Sequence, residues 1–408
     1  MGNPHIGQRK GNLLIGQAGG ATAVINASLV GAMHEALRHE DQIGGIYGAL
    51  HGIEGVLKRQ IIDLRQESHD SLNGLLMTPS SALGASRYKL QPDDPQRALE
   101  TLRALNVRYF FYIGGNDSAD TAHRIALAAE EAGYDLQVIA IPKTIDNDLP
   151  ETDHCPGYGS AARFIALATL DSALCTEALP QHYPVKIIEV MGRDAGWLAA
   201  ASALGKERPE DAPHLIYVPE RPFIREQFLT DVQEVYRAVG YVVVVVAETI
   251  RDAQGQALGA VGAQGTDAFG HALLSGTAAT LVELVKTELG LRARFEKPGD
   301  LQRMASMAVS SVDRTEALLV GQMAVQAAMR GVTGKMITLV RQPGPDYACT
   351  TGLADLEAIA NAQRLLPNEF LTPQGTGVTQ AFFEYARPLI GEALPRHVRL
   401  KKALVRES

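Results

Sequence analysis

The chain has no excess of positive charge, few cysteines, no long apolar run and no internal repeat, and each absence closes a class of function. A formal net charge of −8 over 408 residues offers little to a nucleic acid, whose binding is dominated by Lys and Arg on backbone phosphates. A small phosphorylated ligand is not excluded, because local cations set the potential of its pocket. The three cysteines, Cys155, Cys175 and Cys349, lie far apart with no CxxC or His pairing. They read as reduced, buried thiols of a cytoplasmic protein, against a disulfide framework or a zinc site. Residues 12–33 carry no charge, but Asn12, Gln17, Thr22, Asn26, Ser28 and several glycines are too polar for a bilayer core. A leucine-rich signal core is also lacking, so a soluble, unprocessed chain with no membrane partner is expected. Neither glycine-rich turn gives GxGxxG with a downstream acid, which disfavours a dinucleotide dehydrogenase.

What is present is an alternation of strands and helices. With 408 residues, 46% of them hydrophobic, the chain can bury two domain cores. Strands are expected at Leu13–Gly16, Tyr109–Ile113, Gln137–Ile141, Val185–Val190, Leu215–Val218, Tyr241–Ala247 and Met336–Val340. Helical patterns fall at Pro95–Leu105, Asp120–Glu131, Ala161–Leu174, Ile224–Ala238 and Ala272–Glu288, and the Ala and Met content of 304–329 reads as helix packing. Continuous apolar runs such as YVVVVVAE predict strands buried on both faces, hence an α/β fold with mainly parallel sheets covered by helices. Arg251 to Gly270, rich in Gly, Gln and Ala, reads as a mobile loop.

The densest chemistry is PKTIDND, Pro142 to Asp148, directly after the apolar QVIAI. Functional loops of open α/β sheets lie beyond the carboxyl ends of strands. Phosphoryl transfer needs a cation beside the reacting group, a carboxylate to take the acceptor's proton, and an acid or amide for a metal ion. Lys143, Asp146 and Asp148 supply such a set, although a run with two Asp and an Asn is also an ordinary turn. Two glycine turns support the sharper reading. GQAGGATAVINAS, Gly16 to Ser28, and YFFYIGGNDSADTA, Tyr109 to Ala122, each lead from a strand into a helix, where backbone amides can approach an anion.

In this order the motifs resemble the phosphofructokinase family, and more closely its pyrophosphate-dependent branch. The matching segments are Gly19 and Gly20, GASR at Gly84 to Arg87, GGNDS at Gly114 to Ser118, PKTIDND, MGRDAGWLA at Met191 to Ala199, Glu248, and PGDLQR at Pro298 to Arg303. The resemblance implies two Rossmann-like domains facing across an active-site cleft. Residues 1–158 plus 303–345 would hold the donor, and 159–302 plus 346–408 the sugar phosphate. Asp117 and Lys143 stand where ATP-using members carry glycine. An Asp where a nucleotide's α-phosphate would lie fills the space and repels it, whereas Lys143 offers a point charge to the smaller pyrophosphate.

Roles follow from the same resemblance. Asp146 would be the base for the 1-hydroxyl of fructose 6-phosphate, with Lys143, Asp148 and Arg193 completing the catalytic set. Gly19, Gly20, Arg87, Gly115, Asp117 and Lys143 would bind or select pyrophosphate. Thr144, Ile145, Met191, Gly192, Arg193, Glu248, Arg294, Asp300 and Arg303 would meet the sugar phosphate, the arginines offering permanently charged forks. Mg²⁺ would be the cofactor, near Asp117 and Asn116, and a homodimer or homotetramer is implied.

Four departures from the family pattern stand out. Asn116 replaces a metal-binding Asp, which shifts the ion toward Asp117 or a water-bridged contact. Asp300 replaces a His or Tyr beside the sugar phosphate, where an acid repels a dianion unless turned away or protonated. Pro184 replaces a phosphate-binding Arg, with Lys186 two residues on as the substitute charge. PGYGSAARF, Pro156 to Phe164, would reshape the sugar pocket. The competing readings are an ATP-using relative and a catalytically silent regulatory subunit of the same fold.

Overall fold

The computed structural model describes residues 10–258, 276–401 and 403–404. The strands are β1 (Gly11–Gln17), β2 (Ile43–Ala49), β3 (Ile61–Asp63), β4 (Val107–Gly114), β5 (Gln137–Pro142), β6 (Val185–Val190), β7 (Leu215–Tyr217), β8 (Val242–Ala247), β9 (Ala293–Glu296), β10 (Lys335–Arg341) and β11 (Cys349–Asp355). They form a seven-stranded sheet in the order β11-β10-β5-β4-β1-β2-β3 and a four-stranded sheet in the order β7-β8-β6-β9.

The apolar runs explain the layering. In β4, Phe110 and Tyr112 enter one core while Phe111 and Ile113 enter the core on the opposite face. β5 divides likewise, with Val138 and Ala140 on one side and Ile139 and Ile141 on the other. In β8, Val243 and Val245 face the core shared with Trp197 and Phe382, whereas Val242, Val244 and Val246 face the one shared with Phe228 and Val285. A strand buried on both faces has no polar alternate position, which is why VVVVV is continuous. Each such side chain contributes about 1.5–3 kcal/mol relative to an exposed one.

All pairings of the smaller sheet are parallel. The larger sheet is mainly parallel, as expected, with antiparallel pairs only at its edges, where β3 and β11 run against β2 and β10. These edge strands are partly exposed, so they lack the apolar signature that marked the inner ones. β11 also keeps the chain in the larger sheet to Asp355, ten residues past the crossing expected at 345. The following segment then leaves it, since Leu366, Leu371, Phe382 and Leu389 join the core of the smaller sheet.

The helix Ala272–Glu288 expected from the pattern appears as Thr277–Leu289, and its first expected residues lie outside the described residues. The same holds for 259–270 of the expected mobile loop, while Arg251 and Ala257 form an antiparallel bridge. All three cysteines are free, but only Cys155 is buried and Cys175 is exposed, which corrects the expectation for the set. Cys175 ends up exposed near the C-terminal end of the helix Tyr158–Ala178. Among the described residues no helix is long and apolar enough to cross a membrane.

Candidate active site

The catalytic loop begins where β5 ends and is fixed at both ends. The Lys143 N–H donates to the Gly114 carbonyl at 3.0 Å, which ties it to the end of β4. Ile145 is 6% exposed and packs into the core of the smaller sheet. The loop thus joins the two units and faces a cleft of about 570 Å³ between them. Inside it, the Thr144 hydroxyl accepts from the Asp146 N–H at 3.0 Å and donates to Asp148 Oδ1 at 3.1 Å. The one hydroxyl proton of Thr144 is therefore spent on Asp148.

One side of the cleft is floored by the two glycine turns. Lys143 Nζ donates to the Gly20 carbonyl at 2.9 Å. A Cβ at Gly19 (φ 73°) would stand 2.9 Å from that ammonium, so the turn needs glycine both for its left-handed backbone and for the space. The GASR segment lies alongside, with Gly19 N–H donating to the Ser86 carbonyl at 2.9 Å, and brings Arg87 to the cleft. Gly115 precedes the helix Asn116–Glu131, whose first turn carries Asp117. That end of the helix dipole favours an acid. The Asn116 amide donates to the Ala362 carbonyl, leaving its side-chain oxygen for other partners.

The other side is built from the ends of β6 and β8 and from residues 298–303. Met191, Arg193, Glu248, Asp300 and Arg303 all line the cleft. The Met191 N–H is held by Gln302 Oε1 at 2.9 Å, and the Gly192 N–H bonds the Glu248 carboxylate. Asp300 is turned onto Arg303, with Oδ1 2.5 Å from Nη2. The acid raised as a conflict by the sequence thus stands beside a cation on the same wall of the cleft.

Burial sets the protonation of these groups. Asp146 is raised well above the carboxylate range, first by desolvation and then by the nearby Asp148 and Glu248. Asp148 is raised by burial, against hydrogen bonds from Thr144 and Gln363. Lys143 falls to about 8, chiefly by desolvation, with Arg303 and Arg87 adding to the fall and Asp146 and Asp148 opposing it. Asp146 Oδ1 is buried without a hydrogen-bond partner, an acceptor available to a substrate proton or a cation. The cleft's oxygen donors suit Mg²⁺, which typically takes one or two carboxylates and completes its shell with phosphate oxygens and water. Among the described residues, the one cluster of three metal-type side chains within 4.8 Å is His154, Glu316 and Cys349, and none of them lines the cleft. Its His154 is already bonded to Asp153 at 2.8 Å and to Glu316 at 2.6 Å.

Three expectations do not match the placements. Arg294 lies on β9 outside the cleft of its own chain, with its guanidinium over Tyr183 and donating to Cys175 Sγ at 3.2 Å. Lys186 cannot replace the charge missing at Pro184. It is fully buried and bonded to the Ser172 carbonyl at 3.0 Å and to Glu296 at 2.7 Å. PGYGSAARF does not line the cleft but opens the helix Tyr158–Ala178, where Gly157 and Ser160 N–H donate to Asp313. Conversely, Asn361, Ala362 and Gln363 reach the cleft from a polar stretch with no motif to announce them.

Two mainly parallel-sheet units, facing glycine turns and a loop of lysine and paired acids define a phosphotransferase of small phosphorylated molecules. The phosphofructokinase family profile matches residues 12–328. A pyrophosphate–fructose 6-phosphate 1-phosphotransferase of Rhodospirillum rubrum is 44% identical, covering 96% of this chain and 97% of that one. A sulfofructose kinase of Alkalicoccus urumqiensis is 36% identical, covering 88% and 91%. The crystal structure of a pyrophosphate-dependent phosphofructokinase from Marinobacter aquaeolei superposes with a TM-score of 0.86 at 38% identity, covering 98% of each chain. The chain belongs to the phosphofructokinase family.

Proposed function

We propose that the protein transfers a phosphoryl group reversibly from pyrophosphate to the 1-hydroxyl of fructose 6-phosphate, giving fructose 1,6-bisphosphate and phosphate. The observation that supports the donor is that Asp117, in the first turn of its helix, and the buried Lys143 ammonium line the same cleft. The first excludes a nucleotide's extra phosphate and the second receives a compact donor. The larger-sheet unit holds pyrophosphate and the smaller holds the sugar phosphate, with boundaries shifted as β11 requires.

Asp146 takes the proton of the 1-hydroxyl as that oxygen attacks phosphorus. Lys143 and Arg193 balance charge on the transferring group and the departing phosphate. Asp117 and the Asn116 oxygen would hold Mg²⁺, which would supply positive charge against the donor's phosphates. Glu248 accepts from sugar hydroxyls, and Arg303 meets the 6-phosphate by leaving Asp300. We also infer a cytoplasmic homodimer or homotetramer, in which Arg294 serves a neighbour's cleft.

The Asp300–Arg303 pair favours a second acceptor reading, since an acid on this side suits a distal group with one negative charge better than two. The test is purified protein with Mg²⁺ and pyrophosphate or ATP, on fructose 6-phosphate and on its 6-sulfonate analogue. Turnover from pyrophosphate and negligible turnover from ATP support the donor. Efficient ATP use overturns it, and silence with both donors in protein that binds the sugar phosphate points to a regulatory subunit.

A further inference from the structure

The loop bearing Asp146 and Asp148 is bent against its own preference. Asn147, between the two acids, is fully buried with φ 55°, and Glu151 has φ 60°. Left-handed backbone is unfavourable for residues with a Cβ, least so for Asn, and persists where the surroundings over-determine it. The Asn147 side chain supplies part of the restraint. Its oxygen accepts from the Cys155 N–H at 3.0 Å and its amide donates to the Tyr385 hydroxyl at 2.9 Å.

The rest comes from one residue far along the chain. Arg364 donates to the Asn147 carbonyl from Nε at 3.2 Å and from Nη2 at 2.8 Å. Its Nη1 donates to the carbonyls of Thr152, at 2.7 Å, and Asp153. Its backbone N–H donates to the Asp148 carbonyl at 2.7 Å. The guanidinium lies over the Trp197 ring, 4.6 Å from its centroid, so both its edge and its face are fixed. Beside it, Gln363 Nε2 donates to Asp148 Oδ2 at 3.4 Å. Only a planar fork can serve three carbonyls of one turn at once. Arg364 is not among the residues lining the cleft, so it acts through the loop.

We propose that Arg364 and Gln363 are the positioning residues of the catalytic carboxylates. Arg364 locks the left-handed turn that aims Asp146 into the cleft, and Gln363 holds Asp148. The proposal rests on Asp146 being the proton acceptor. A loop relaxed by even an ångström misplaces the base while leaving both binding surfaces in place.

The experiment compares Arg364→Ala, Arg364→Lys, Gln363→Leu and Asp146→Asn in the full-length protein. Arg364→Ala should lower kcat about 10²-fold, with KM for both substrates within about threefold. Added guanidinium at millimolar concentration should restore part of kcat, and Arg364→Lys, which keeps charge without the fork, should lie between. Gln363→Leu should fold normally and move the acidic limb of kcat to lower pH, because Asp148 loses a hydrogen bond that favours its ionised form and a less ionised Asp148 opposes the Asp146 carboxylate less. Wild-type kcat in Arg364→Ala overturns the proposal. So does a loss that guanidinium does not relieve, combined with an unshifted Gln363→Leu profile. If Arg364→Ala does not fold, the Gln363→Leu profile decides. Full turnover by Asp146→Asn would remove the base assignment itself, whereas an inactive Asp146→Asn beside an unimpaired Arg364→Ala removes the positioning alone.

Discussion

The guanidinium of Arg303 rests against the backbone of Gly20, so close that a Cβ at position 20 would stand 2.5 Å from Nη1. Arg303 comes from the segment after β9 and Gly20 from the turn after β1, and both line the cleft. Gly20→Ala must therefore push Arg303 aside. The obstructing atom ends a flexible side chain, so the melting temperature should hardly move. Values of kcat/KM for the sugar phosphate should fall about 10-fold or more as the guanidinium loses its place. Calorimetry beside steady-state kinetics separates the two effects, and a large loss of stability would contradict this account.

Asp146→Asn should lower kcat by roughly 10² or more while substrate binding stays within a few fold. The same change should raise thermal stability at neutral to alkaline pH. Burial, Asp148 and Glu248 all oppose ionisation of Asp146, so an uncharged amide removes a cost of folding. Melting curves and single-turnover rates on one preparation check both halves.

The pH dependence of kcat/KM should be a narrow bell. Asp146 must be ionised to accept a proton, and its raised value brings the acidic limb above the ordinary carboxylate range. Lys143 must be protonated to attract pyrophosphate, so activity should fall as pH rises through about 8. Lys143→Arg, which stays charged, should lose the alkaline limb even though its overall rate drops. An alkaline limb unchanged in that variant would assign it to another group.

The buried His154 makes a separate prediction about stability. Burial alone would lower its value, but Asp153 and Glu316 raise it above that of a free imidazole. Its stabilising contribution is then complete below the ordinary histidine value and lost as pH rises through the raised one. His154→Gln should accordingly cost more stability near pH 6 than near pH 9. Denaturant midpoints at the two pH values measure the difference, and an equal cost at both would mean that the ring is neutral.

The inner strands other than β2, and the loop after β5, were legible because two-sided burial forces continuous apolar runs, which stop where the chain turns polar; β2, IGGIYGA, was missed because its glycines break the run. β9, β3 and β11 were not legible, since partly exposed edges of three to seven residues carry no such contrast. Lys186 was misjudged for a related reason. A lysine inside VKIIEV gives no sign of whether it reaches solvent, and its burial becomes intelligible only with Ser172 and Glu296 beside it. That Asp117 and Lys143 face one cleft was readable as two motifs at the ends of neighbouring strands. Arg364 could not be read, because its meaning lies in backbone carbonyls 217 residues away in sequence.

The order of strands in the larger sheet also has a consequence for synthesis on the ribosome. β5 carries the catalytic loop, and β10 pairs along its outer edge. β10 emerges roughly 190 residues after β5, which at ~5–20 residues per second leaves that edge open for about 10–40 s. During that interval a bare strand flanked by apolar surface invites pairing with another nascent chain. Demand for chaperones should therefore peak before residue 335 is translated, and slow codons between β5 and β10 should lower the yield of folded protein even though they change no residue.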